Sequence, residues 1–134
     1  MRPKAAQDPG ALPLTPEASG DLSSDPIVGE WSVSWVGHNG NYSGILTLGK
    51  ASQQGRYLGI LTVKTPSGTV KETMSVETVQ TGISYEFRGT NPIRISGTGP
   101  YYADNFSCYL EGRRLDCHSS DLQGEQAIAK FVRN

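Results

Sequence analysis

A chain of 134 residues with 12 basic and 13 acidic side chains, a formal net charge of -1 and no run of like charge carries no electrostatic footprint for nucleic acid or for an anionic membrane. Its 16 glycines, the Ser and Thr residues interleaved with apolar ones, and the absence of any long window at helical spacing point to an all-β domain with little or no helix. No apolar run approaches the ~20 residues that span a bilayer, so no membrane insertion is expected.

Residues 1–26, "MRPKAAQDPGALPLTPEASGDLSSDP", hold five of the eight prolines and no aromatic residue. Such a segment offers little apolar surface to offset the entropy of ordering, and it is read as a disordered Pro-rich linker, either a tether to an anchor or another domain or a plain terminus. The same segment lacks the apolar stretch of a secretory signal, so an exported protein would carry its signal or anchor outside the sequence given. Residues 27–134 are read as one folded domain. "GEWSVSWVG" sets Trp31, Val33 and Trp35 on one face of a strand, and "HNGN" follows as a turn containing His38. "YSGILTL" and "YLGILTV" are two nearly identical strands. "TVKETMSVETV" sets Val70, Met74 and Val76 on one face, and "GISYEFRG" sets Ile83, Tyr85 and Phe87 on one face. "IRIS", "NFSCYL", "RLDCHS" and "AIAKFVR" complete about eight strands, with a possible helical turn around Asp121 to Gln126.

Pairing the two repeated strands about the loop "GKASQQGR" opposes Gly44 to Leu61, Leu46 to Gly59 and Tyr42 to Val63, a register in which each Gly leaves room for a Leu. Duplication of a hairpin arm would also give the repeat. Glycines inside strands mark sharp bending, and strong coiling suits closure, so the predicted architecture is a single small antiparallel up-and-down β-barrel, with a two-sheet sandwich as the alternative.

In "CYLEGRRLDC" a two-residue turn at Gly112-Arg113, with Gly112 first as type II′ requires, opposes Glu111 to Arg114, Leu110 to Leu115, Tyr109 to Asp116 and Cys108 to Cys117. The cysteines then form a non-hydrogen-bonded pair about 4.5 Å apart at Cα, within reach of a disulfide. Two reduced, buried thiols are the other reading. The disulfide implies an oxidising compartment, periplasmic or secreted. No metal site is expected, because His118 beside Cys117 has no second ligand pair at zinc-like spacing. No cofactor motif and no nucleophile motif occurs, no catalytic residue is nominated, and an enzyme is not expected.

"IVGEW" resembles the G-x-W signature with which lipocalins and related calycin barrels open their first strand, with Gly29 and Trp31 at the matching positions. The resemblance implies that Trp31 closes one end of the barrel and packs near a basic residue of the last strand, Lys130 or Arg133. The chain departs from lipocalins in lacking the T-D-Y segment and a C-terminal helix. In size it is closer to avidin-like or fatty-acid-binding barrels. Some bacterial periplasmic inhibitors of proteases and lysozymes also open small barrels with a similar Gly-x-Trp, and "SGTGPYY" is loosely similar to a loop of some lysozyme inhibitors.

Two functions compete for a non-enzymatic binding module. In the first, the barrel holds a small apolar or aromatic ligand, with Trp31, Trp35, Met74 and Tyr85 lining the interior and Tyr101 and Tyr102 at its rim. In the second, the loops "HNGN" and "GTGPYYADN" bind or inhibit another protein. The inward set is bulky: beyond those four it includes Val33, Leu46, Leu61, Val76, Ile83, Phe87, Ile95, Phe106, Leu110 and Phe131. An eight-stranded barrel is only just wide enough to be filled by its own side chains or to hold one small ligand, so interior volume decides between the two.

Overall fold

The computed structural model describes residues 25–37, 40–120 and 126–134; residues 1–24 of the expected linker, His38 of the first turn and residues 121–125 of the possible helical turn lie outside them. Eight antiparallel strands run in sequence order: β1 (Gly29–Gly37), β2 (Gly40–Lys50), β3 (Arg56–Thr65), β4 (Gly68–Gln80), β5 (Ser84–Arg94), β6 (Asn105–Glu111), β7 (Arg114–Ser120) and β8 (Gln126–Arg133). β8 pairs back onto β1, from Trp31 opposite Arg133 to Trp35 opposite Ala129, so the sheet is a closed barrel rather than a sandwich. Closure leaves no edge strand to recruit another chain. No helix is present among the described residues, and hence none long and apolar enough to cross a membrane.

The two-residue period of the sequence sets the inside. Trp31, Val33 and Trp35 are buried while Ser32 and Ser34 are exposed. The repeated strands do pair, but two residues further along than their complementarity suggests: Gly44 faces Val63, Leu46 faces Leu61 and Leu48 faces Gly59. A slip of two preserves which face each side chain takes, so the inward set is unchanged. Gly44 serves the backbone, and Gly59 both the backbone and Leu48, the leucine that now faces it. A Cβ on Gly44 would run into the carbonyl oxygen of Thr62, and one on Gly59 into that of Thr47, which is the close approach that strong coiling demands.

Two expected inward residues are outside. Ile83 is 44 % exposed because it belongs to the turn before β5, where its N–H bonds the carbonyl of Gln80. Ile95 is 58 % exposed because β5 carries an extra residue: Thr90 faces Thr73 but Ile93 faces Lys71, and Asn91 within that step has φ 51°. This bulge reverses the inward-outward alternation for everything after it. β5 thus runs through both "SYEFRG" and "IR" as one strand.

The cysteine hairpin has the expected register, Cys108 opposite Cys117, with Gly112 at φ 63° and a disulfide across a Cα separation of 4.1 Å. The interior is filled. Trp31, Leu46, Leu61, Met74, Phe106, Leu115 and Phe131 are at most 1 % exposed, and Phe131 packs edge-on against both Phe87 and Phe106 with ring centroids 5.5 and 5.0 Å away.

One end of the barrel, its base, is closed by the incoming chain. Ile27 is fully buried there, and its carbonyl accepts the Trp31 indole N–H at 3.0 Å. The Arg133 guanidinium lies 5.1 Å from the Trp31 ring centroid and donates to the Asp25 carbonyl at 3.1 Å. The basic partner of Trp31 is therefore Arg133; Lys130 is exposed on the outer wall opposite Asp116. Asp25 is tied down further, taking a hydrogen bond from the Tyr57 hydroxyl at 3.1 Å, and burial together with that carboxylate pushes the Tyr57 phenol up to about 12.

Candidate functional site

The opposite end, the rim, carries the long connection between β5 and β6. Its first half, Ile95–Pro100, is exposed throughout. Length and exposure would ordinarily make such a loop loose, yet it is braced from two sides. Arg94, at the end of β5, donates to the carbonyls of Ser96 at 3.2 Å and Gly99 at 2.9 Å. The β3–β4 turn supplies the second brace. The N–H groups of Ile95 and Ser96 bond the Thr69 carbonyl, the Thr69 N–H returns to Ser96, and the Thr98 N–H bonds Ser67. Gly97, at φ 84°, touches that turn so closely that a Cβ would run into the Ser67 carbonyl oxygen. The two loops form one platform, and on and beside it stand Ile93 at 60 %, Ile95 at 58 % and Tyr102 at 38 % exposure. Lys71 sits opposite Ile93, and Lys64 lies one strand further along the outer wall.

The second half of the loop turns inward. Ala103 and Asp104 are buried, and the half-buried Tyr101 donates its hydroxyl to the Asp104 carboxylate at 2.5 Å. Beneath them lies Glu72, a β4 residue on the same inward face as Val70 and Met74 and only 1 % exposed. Its Oε1 accepts the Asp104 N–H at 3.1 Å, while its Oε2 is buried with no hydrogen-bond partner among the described residues. Gly89 makes the space: a Cβ there would overlap the Glu72 carboxyl, and the Gly89 N–H bonds the Asp104 carbonyl at 2.7 Å. Burial, then the neighbouring Asp104 carboxyl, pushes the Glu72 acid well above the ordinary carboxyl range. The Tyr101 phenol is raised as well, by burial first and by Asp104 second.

The residues expected to line a ligand site are spread along the barrel. Trp31 closes the base, and Tyr85 lies near it beside Tyr57, accepting the Gly82 N–H at 3.2 Å. Met74 is fully buried in the core. Trp35 lies toward the rim, stacked on Tyr42 with ring centroids 5.3 Å apart, and Tyr101 and Tyr102 belong to the loop. A void large enough for a ligand leaves accessible surface on its lining, and Trp31, Met74 and Tyr85 have 0, 0 and 1 %. A cleft of about 480 Å³ at the base is floored by Tyr57 and Tyr85, and its cations Lys50 and Arg56 are already paired with Asp25 and Glu77. Another of about 420 Å³ runs along the outer wall past Val36, Ile128 and Lys130. Among the described residues no cluster of three or more metal-ligating side chains occurs.

Glu72 was open to sequence reasoning as a carboxylate at an inward position of an otherwise apolar face. Its partner was not. Asp104 looks like a surface residue of a polar loop, and 32 positions separate the two.

No family model and no curated protein matches the chain. Among solved structures it is similar to one described as a "De novo design of a fluorescence-activating beta barrel", with a TM-score of 0.57 and 14 % identity over 81 % of this chain and 94 % of that one. At that identity the likeness is one of fold.

Proposed function

We propose that this protein is a non-enzymatic binding module of an oxidising, extracytoplasmic compartment that grips a partner protein with the rim platform. The carrying observation is the contrast between an interior without accessible surface and a braced loop presenting Ile95 and Tyr102. A loop already held in one conformation loses little entropy on binding, and exposed aliphatic and tyrosine side chains on it are the usual content of protein interfaces. The Cys108–Cys117 disulfide supports the compartment. Gly29, Trp31 and Arg133 at the base support kinship with calycin barrels.

The second reading is a small apolar or aromatic ligand held inside. The fold it shares with a barrel described as fluorescence-activating favours it, and the filled interior weighs against it. Titrating tryptophan emission with a panel of apolar dyes separates the two. The rim reading expects no saturable change, and expects a protein retained from an extracytoplasmic extract by the immobilised wild type to be lost when Ile95→Ser and Tyr102→Ala are combined. A saturable emission change weakened by Trp35→Ala, or retention indifferent to the two rim substitutions, would overturn it.

A further inference from the structure

The repeated strands carry a pattern that packing of the interior does not require. Their inward residues fill the core, yet the repeat extends to residues that face outward: Ile45 and Thr47 in β2, Ile60 and Thr62 in β3. The register sets Ile45 opposite Thr62 and Thr47 opposite Ile60, on either side of the Leu46–Leu61 pair. A half-turn about an axis through that pair, normal to the sheet, therefore exchanges the two isoleucines and the two threonines. The flanking strands continue the pattern with small hydroxyl residues, Ser32 of β1 beside Ile45 and Thr73 of β4 beside Ile60. Exposed apolar side chains lie just beyond, Leu58 on β3 and Val132 next to Ser32. Charge enters at two corners. Glu30 stands beside Thr47 and Lys71 beside Thr62, both exposed, so the same half-turn carries a carboxylate onto an ammonium. Asn134 donates to the Glu30 carboxylate at 3.0 Å, which holds it on this wall. The other half of the outer wall, β5 to β8, mixes Glu86, Arg88, Arg114, Asp116 and Lys130.

We propose that the outer wall of β2 and β3 is a self-association face, through which two copies of this chain form a two-fold dimer. Such a dimer needs a surface on which one residue meets a second and that second meets the first. Turning a copy about the line through Ile45 and Ile60 meets this condition. Each isoleucine then packs on its own counterpart, Thr47 of each copy meets Thr62 of the other, and Glu30 of each copy meets Lys71 of the other. The repeat and the oppositely charged corners are what a self-matching surface requires and a foreign partner does not. Four strands at about 4.8 Å and about six residues along each make a field of about 400 Å² in projection, half of what a standard interface buries per partner. The dimer is therefore weak and exchanging, with a dissociation constant on the order of 0.1 mM. It goes beyond the rim as a binding surface and stands whatever the rim binds.

Sedimentation equilibrium of the full chain from about 10 µM to about 1 mM tests it, and the wild type is expected to pass from monomer to dimer across that range. Ile45→Lys combined with Ile60→Lys should leave a monomer throughout. Glu30→Lys alone, or Lys71→Glu alone, sets like charges together twice per dimer and should weaken association about tenfold. The two reversals combined should restore it to within about threefold. A wild type monomeric at the highest concentration, a dimer indifferent to the isoleucine pair, or single reversals that the double does not rescue would each overturn the proposal. Amide shifts of the wild type on dilution provide a test that needs no variant to fold. Changes centred on Ile45, Thr47, Ile60 and Thr62 support the face, and changes confined to other strands overturn it.

Discussion

At the base of the barrel an arginine lies over a tryptophan, with the Asp25 carbonyl accepting from the arginine and the Ile27 carbonyl from the indole; at the rim two carboxyl groups and a tyrosine meet. Both ends are closed by residues distant in sequence, but the base sets a guanidinium against an indole and a backbone carbonyl, whereas the rim buries the Glu72 acid beside Asp104 and so raises its proton affinity. The base is therefore built to stay shut. The rim holds a buried acid whose ionisation burial opposes, and it is the end that carries the exposed, braced loop.

The comparison breaks most visibly if the base is opened. Trp31→Ala removes a fully buried indole and, with it, the seat of Arg133 and the donor to Ile27. Urea or thermal unfolding is expected to show a loss of about 3–5 kcal/mol, the usual cost of deleting a buried large aromatic. The loss should be independent of pH. A cost under about 1 kcal/mol would mean that the chain entering at Ile27 contributes little to closure.

A pH series sharpens the contrast at the rim. A folded-state proton affinity above that of the unfolded chain stabilises the fold fully below the ordinary carboxyl range, and that stabilisation drains away as pH rises from there toward the raised folded-state value. Glu72→Gln has no such dependence. The variant is expected to match the wild type near pH 5 and to become the more stable of the two as pH rises, the gap widening by up to about 1.4 kcal/mol per pH unit. Unfolding curves for both proteins across that range check it. A wild type whose stability increases between pH 5 and pH 9 relative to the variant would have the sign reversed.

The same contrast separates what the sequence discloses from what it conceals. Along β1 every second residue from Trp31 to Trp35 is large and apolar, and the G-x-W of Gly29 and Trp31 pointed to closure of that end, so the base was legible apart from the choice between Lys130 and Arg133. The Cys108–Cys117 pairing was legible because a two-residue turn leaves one register. The rim was not, for two local reasons. One extra residue near Asn91 reverses the alternation and turns Ile95 outward, a backbone event that no side-chain period announces. And Glu72 and Asp104 acquire meaning only through each other, across a loop whose composition reads as solvent-exposed. Even the hairpin of the repeated strands kept its inward face while slipping two residues, because pattern fixes the face and turn geometry fixes the register.

The disulfide lies at neither end, joining neighbouring strands β6 and β7, and so calibrates the other effects. Replacing both cysteines with Ala should cost about 2 kcal/mol, at the low end of the usual range because the closed loop is short. The cost should be the same at pH 5 and pH 9 in denaturant titrations. A pH-dependent cost would mean that the hairpin and the carboxyl pair are coupled.

The smallest expected effect on stability is the most informative about the rim. Arg94 holds the loop by two hydrogen bonds to the carbonyls of Ser96 and Gly99, and it does so from the last residue of β5. Arg94→Ala removes that strap but leaves the Glu72–Asp104 pair, the β3–β4 brace and the core untouched, so global stability should fall by no more than about 1 kcal/mol. Local order should respond differently. Amide exchange at Thr98, whose N–H bonds Ser67, should quicken, whereas exchange at Gly89 and Asp104 should hold. That split would show two independent fastenings of one loop, a strap on its exposed limb and the Glu72 and Gly89 contacts on its buried one. If all three amides loosen together, the loop moves as one piece, and the rim is a single cooperative lid on the barrel rather than a platform with a separately held inner limb.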